Sequence, residues 1–176
     1  MAAEADRFIR QNDEVFYTAL ALTRIDAGDI DWLKQRAAET PRRRARICTH
    51  PDADARLHEM LIVHAYDTYV PPHRHVGRSE SYHMIEGQMR IVLFEDDGEI
   101  RDHVAMSVSC GTGALYYRLS ESRFHSMLLD SDWVVFHEVT SGPFDPATTI
   151  IPDWAPDSAD TAAQRDFIAR MRSTIA

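Results

Sequence analysis

Cysteine is scarce in this chain: two residues, Cys48 and Cys110, stand far apart among 176 and form no CxxC pair. That argues against a disulfide framework and a cysteine-based zinc site, and both thiols are expected to be small buried residues. Positive charge is also in deficit, with 19 basic against 28 acidic side chains and a formal charge of −9. Nucleic acid needs a basic surface to displace its counterions, so it is not expected as a partner. The one dense basic run, Arg42-Arg43-Arg44 with Arg46, reads as a solvated face or a clamp for a phosphate or carboxylate. Long apolar runs are missing. Val15–Thr23 is the longest uncharged stretch, too short to span a bilayer. The start, Met1–Arg10, is broken by charges and offers no signal-peptide core. A soluble, cytoplasmic protein with no membrane partner is the expectation.

What the chain does have is histidine, nine in all, within a composition that is 44% hydrophobic and so able to fill a core. No repeat or low-complexity tract divides it. Residues 1–14 read as a short polar helix or arm. Val15–Ile25, rich in β-branched and aromatic residues, reads as a strand. A helix follows over about 30–39, capped by Asp29 or Asp31 and stopped by Pro41. From Leu57 onward short apolar runs alternate with turn residues: Leu57–His64, Thr68–Val70, Ser81–Ile85, Met89–Phe94, His103–Ser107, Ala114–Arg118, Ser126–Leu129 and Trp133–Val139. That rhythm predicts an antiparallel sandwich or barrel, with a hairpin at Asp97-Gly98. Four prolines between Ser141 and Asp157 predict an extended wrap pinned by Phe144 and Trp154, and an amphipathic helix follows over about 160–174. The domain reading is an N-terminal helix/strand/helix extension over 1–56 packed on the barrel, a barrel over 57–145, and a C-terminal wrap and helix over 146–176.

The chemistry concentrates in one stretch. His73 and His75, two apart on an extended segment, project to one face. After a four-residue loop Glu80 can bring its carboxylate back to that face. Two imidazoles and a carboxylate suit Fe(II), Mn(II), Ni(II) or Zn(II) and leave coordination positions open. His125, where a later strand enters the interior, is the best fourth ligand. Alternation from Glu80 turns Tyr82 and Met84 inward and His83 outward, and alternation from His125 turns Met127 and Leu129 inward. On the Trp133–Val139 strand, either Trp133, Val135 and His137 or Val134, Phe136 and Glu138 face the metal. The remaining six histidines read as surface or hydrogen-bonded groups.

The run His73-x-His75-(x4)-Glu80-(x6)-Gly87 resembles the first cupin motif at every fixed position except its leading glycine. The second motif is represented by His125, with Ser120-Glu121-Ser122 in place of Pro-x-Gly and Leu129 at the usual asparagine position. Over about residues 25–157 the chain is similar to the WbuC-like cupin-fold metalloproteins. The similarity lies in Pro41-Arg42-Arg43-Arg44-Ala45, Tyr69-Val70-x-Pro72-His73-Arg74-His75, Phe94-x-Asp96-Asp97-Gly98, Phe124-His125, Glu138, Gly142-Pro143-Phe144-Asp145-Pro146 and Trp154-Ala155-Pro156. The resemblance implies a mainly all-β fold, a cupin-type antiparallel jelly-roll barrel with short helices at both ends. It also implies one divalent transition metal ion (Zn, Fe, Mn or Ni), and it favours Glu138 over the opposite parity.

The expected site therefore holds His73, His75, Glu80 and His125 as metal ligands, Tyr82 and Glu138 as catalytic groups, and Arg74 or Arg90 as binding groups for a small anionic or hydroxylated ligand. Three functions fit: a metal-dependent isomerase, epimerase or lyase on a sugar-derived or carboxylate substrate; a non-haem iron dioxygenase; or a non-catalytic metal-dependent binding or sensor module. A homodimer is expected, because the edge strand Val15–Ile25 needs cover and two-fold exchange would provide it.

Overall fold

The computed structural model describes residues 7–109 and 111–175, so Cys110 and the first residues of the expected N-terminal arm lie outside it. The chain forms β1 (Phe8–Arg10), β2 (Val15–Thr18), α1 (Ala27–Glu39), β3 (Arg44–Cys48), β4 (Leu57–Ala65), β5 (Arg74–His75), β6 (Glu80–Glu86), β7 (Gln88–Phe94), β8 (Ile100–Ser107), β9 (Tyr116–Leu119), β10 (His125–Leu129), β11 (Trp133–Ser141), β12 (Thr149–Ile150) and α2 (Thr161–Thr174). Seven strands join in the order β1-β2-β3-β4-β11-β6-β9, three in the order β10-β7-β8, and β12 pairs with β5. Every pairing is antiparallel except β2 with β3.

Alternation decides the layering. In β4, Leu61 and Val63 point outward with Val135 of β11 and Ile47 of β3, and Leu33 and Ala37 of α1 seal them. The intervening Met60, Ile62 and Phe136 point inward and meet Met89, Ile91, Met106, Met127 and Leu129 of the smaller sheet. On the far side Val92, Phe94 and Leu128 are covered by Phe167, Met171 and Ile175 of the C-terminal helix. The result is a mainly β protein: a cupin-type jelly roll of two facing sheets with one helix on each outer surface.

Several expectations are adjusted. Helix α1 starts earlier because Asp26 is the cap. Its Oδ1 accepts from the Gly28 and Asp29 amides at 3.0 and 3.3 Å, and Asp29 Oδ2 accepts from the Asp26 amide at 2.9 Å. The expected strand over Val15–Ile25 stops at Thr18, and β1 and β3 of the same chain cover its edges. The N-terminal arm contributes a strand, β1, and Thr68–Val70 forms none. The second half of the basic run is a strand, β3, which the sequence reading did not separate from the loop. Trp154 pins the wrap as expected, donating from Nε1 to the Asp96 carbonyl at 2.9 Å and packing on Phe94, whereas Phe144 stays 53% exposed. No helix among the described residues is long and apolar enough to cross a membrane.

Candidate metal centre

The site sits where the two sheets meet. His73 precedes β5 and exchanges both backbone hydrogen bonds with His125 at the start of β10, at 3.0 and 2.9 Å, which ties the two imidazoles together. His75, two residues on, pairs with Thr149 of the wrap. Glu80 opens β6 opposite Thr140 of β11 and is 2% exposed. Gly87, the last fixed position of the motif, ends the turn after β6 at φ 82°, and a Cβ there would stand 2.4 Å from the Trp133 carbonyl. Glycine is therefore required for β6 and β7 to turn against β11.

One ligand atom from each of His73, His75, Glu80 and His125 lies within 4.8 Å of the others. His73 Nδ1 lies 2.9 Å from the Pro71 carbonyl and His125 Nδ1 lies 3.0 Å from the Arg123 carbonyl. A carbonyl only accepts, so Nδ1 carries a proton in both rings and Nε2 is the atom turned to the cluster; burial opposes a second proton on His125, but the Glu80 carboxylate outweighs it and raises the ring, so a metal there would displace that proton. His75 differs: its Nδ1 lies 3.0 Å from Arg78 Nη2, which can only donate, and 3.1 Å from Thr149 Oγ1, which also accepts from Arg78 Nη2 at 2.8 Å. His125 Nε2 stands 2.6 Å from Glu80 Oε1, yet the approach is not aligned for a hydrogen bond. That nitrogen and both Glu80 oxygens are buried without a hydrogen-bond partner. Buried polar atoms left unsatisfied cost on the order of 1–3 kcal/mol each, more if charged, and a shared cation between them removes that cost. Burial pushes His73 down to about 3, with His125 adding to the effect, so its ring is neutral. Burial alone would raise Glu80, but His125 and His75 hold it well below the usual carboxylate range. Neutral imidazoles and an ionised carboxylate are the forms that bind a metal. The donor set fits a divalent ion.

A cavity of about 650 Å³ opens beside His73 and His75 and is lined by residues of β3, β4 and the wrap; Glu80 and His125 are not among its lining residues. Strand register arranges its floor: Tyr17, Cys48, Met60, Glu138 and Tyr82 form one row across five strands, which Tyr117 continues beyond the cavity. This settles the parity of β11, with Val134, Phe136 and Glu138 inward and Val135 on the helix side. Burial, and then the Glu80 carboxylate, push Glu138 up to about 7, while Arg46 and Arg78 pull against them. Tyr82 is raised well above the usual tyrosine value by burial, Glu80 and Glu138, so its hydroxyl keeps its proton.

Tyr82 and Glu138 thus stand where the sequence reading put them, at the cavity beside His73 and His75. Arg74 and Arg90 do not. Arg74 pairs with Asp96 at 3.1 Å and lies over the Phe124 ring, and Arg90 is held by Asp130 at 2.8 Å against the C-terminal helix. Each is already neutralised, and neither is among the residues that line the cavity. The cavity arginines are Arg42, Arg44, Arg46 and Arg78. The alternation Arg44-Ala45-Arg46-Ile47-Cys48 was the available signal, since it is a strand pattern with two arginines and a cysteine on one face.

Fold and site together are those of a jelly-roll chain whose four donors could hold a metal ion. A model of a domain family of unknown function, DUF6016, matches residues 25–106. The crystal structure of protein SO0799 from Shewanella oneidensis is similar over 70% of this chain and 77% of its own, at 9% identity and a TM-score of 0.51. Oxalate decarboxylase from Bacillus subtilis, described for its Mn(II) centres, aligns over 54% of this chain at 18% identity and a TM-score of 0.42. CapF with the inhibitor 3-isopropenyl-tropolone aligns over 61% at 13% identity and a TM-score of 0.46. The chain spans only 23% of the decarboxylase and 34% of CapF. No protein of curated function matches the sequence.

Proposed function

We propose that the protein is a mononuclear metal-binding cupin of the WbuC-like type, holding one divalent transition metal on His73, His75, Glu80 and His125 and binding a small sugar-derived or carboxylate ligand beside it. The observation that carries this reading is the set of orphaned atoms. Glu80 Oε1 stands 2.6 Å from His125 Nε2 and Glu80 Oε2 3.4 Å from His75 Nε2, buried, with none of these oxygens or the His125 nitrogen in an aligned hydrogen bond, while backbone carbonyls fix Nδ1 of His73 and His125 so that Nε2 faces the cluster.

A metal in that position supplies Lewis acidity toward a ligand oxygen. The remaining work falls to the chain. Tyr82, held protonated, is a hydrogen-bond donor on the cavity floor. Glu138, pushed up to about 7, exchanges a proton near neutrality and suits an acid–base role on a carbon or hydroxyl next to a carbonyl. Met127 and Phe136 are apolar walls of the cavity.

Elemental analysis of protein purified without a histidine tag tests the reading. Stoichiometric divalent metal in the wild type, lost from a His73→Ala/His75→Ala double variant that still folds, is the expected result. A metal-free wild type, or undiminished metal in the double variant, overturns it. Oxygen uptake by the iron-loaded protein with thiols, diketones and sugar acids then separates a dioxygenase from the isomerase reading.

A further inference from the structure

The cavity is cationic on a chain that carries a formal charge of −9. Arg42, Arg44, Arg46 and Arg78 face it against the carboxylates of Glu14 and Glu138. Glu14 is already engaged, accepting from Arg42 Nε at 2.7 Å and from Arg44 Nε at 3.2 Å. Arg46 and Arg78 have no carboxylate partner among the described residues. Arg46 follows Arg44 by two residues on β3, so its side chain rises from the same inward face. Arg78 comes from the loop between β5 and β6. Its Nη2 reaches Thr149 Oγ1 at 2.8 Å and His75 Nδ1 at 3.0 Å, its Nε is buried with no partner, and the Phe144 ring lies 5.8 Å from its guanidinium carbon.

Two further groups point the same way. His58 and His64 both line the cavity, both are more than nine-tenths buried, and each keeps a ring nitrogen without a partner. Guanidiniums without a carboxylate partner and unfilled ring nitrogens around a cavity are what an oxyanion satisfies, by charge and by bidentate hydrogen bonds.

We propose that this cavity selects a small organic oxyanion, a carboxylate or a phosphate ester, whose charged group is held between Arg46 and Arg78 while a second oxygen reaches the metal side at His75. The proposal rests on the ligand-binding reading of the cavity given above and adds the charge class and the residues that read it. Arg78 serves both ends, because its Nη2 meets His75 Nδ1 directly at 3.0 Å and also donates to the Thr149 hydroxyl beside it. The exposed Phe144 ring forms the outer wall of the mouth.

Calorimetric titration of the zinc-loaded full chain with malonate and, separately, inorganic phosphate tests this, with Arg46→Met, Arg78→Met, the double variant and the exposed Arg165→Met as control. Saturable binding of at least one probe is expected, weakened about tenfold or more by either cavity substitution, abolished in the double variant and unchanged in the control. Whichever probe binds more tightly distinguishes a carboxylate from a phosphate ligand. Arg46→Lys and Arg78→Lys, which keep charge and lose the planar fork, should fall between. Peptide mapping after phenylglyoxal treatment of the wild type reads the same site without a variant, since the bound probe should protect Arg46 and Arg78 and leave Arg165 labelled. Metal content measured on each sample separates the two readings: oxyanion binding that depends on both arginines in a metal-free protein refutes the metal and upholds this proposal. A zinc-loaded wild type that binds neither probe, a double variant that binds like wild type, or equal labelling with and without probe overturns it.

Discussion

The two faces of the seven-stranded sheet are built from the same strands and serve opposite ends. Outward, Leu61, Val63, Ile47 and Val135 meet Leu33 and Ala37 of the N-terminal helix, an apolar contact from which water is excluded. Inward, one residue along on the same strands, stand His58, His64, Arg46, Cys48 and Glu138. The first face holds the molecule together by burial. The second spends part of that stability on polar groups placed around a cavity, several without partners. Period-two alternation lets a single strand do both, so substitutions one residue apart should have different consequences.

The largest effect is expected on the sealed face. Leu33→Ala, at a position with 0% exposure, should cost about 3 kcal/mol of unfolding free energy in a urea titration and leave metal content unchanged. Metal loss with Leu33→Ala would show that the two faces are not separable. Next comes the centre itself. Metal at about a hundredfold excess over its dissociation constant should stabilise the wild type by about 2.7 kcal/mol. That gain should vanish in His73→Ala/His75→Ala and persist in Leu33→Ala.

The third test lies on the cavity face away from the ligands. Burial, then Arg44 and Arg46, push His64 down to about 3 from an ordinary 6.5, so the folded state keeps it neutral. Its contribution is fully present above 6.5 and is lost as pH falls from there toward 3, because the unfolded chain takes up the proton first. By around pH 4.5 that amounts to about 2–3 kcal/mol, and His64→Leu should flatten the acid limb of a stability–pH curve by that much. An unchanged limb would place the acid sensitivity elsewhere. The smallest effect belongs to the helix cap: Asp26→Ala should cost about 1 kcal/mol in the same urea titration, with cavity binding intact.

Legibility in the sequence followed the same division. The spacing of His73, His75 and Glu80 to Gly87 was readable because each position answers a local geometric need: one face of an extended segment, a returning strand, and a turn that admits no side chain. The inward row from Tyr82 and the inward Met127 followed from alternation alone. The parity of β11 did not, since both of its faces are apolar on average and only the pairing of Glu138 with Met60 and Tyr82 fixes it. Nor did the arginines. Arg74 and Arg90 lie close in sequence to the site but turn to Asp96 and Asp130, while Arg46 comes from a strand whose place depends on its pairing with β4. Long-range pairing, absent from any local pattern, decided which cations reach the cavity.

Three imidazoles and one carboxylate are proposed to share a single ion. X-ray absorption at the metal edge of zinc-loaded, untagged protein reads that shell. A nitrogen/oxygen shell with the outer-shell scattering of several imidazole rings, diminished in His125→Ala, is expected. A shell without imidazole scattering, or a spectrum unchanged by His125→Ala, would contradict it.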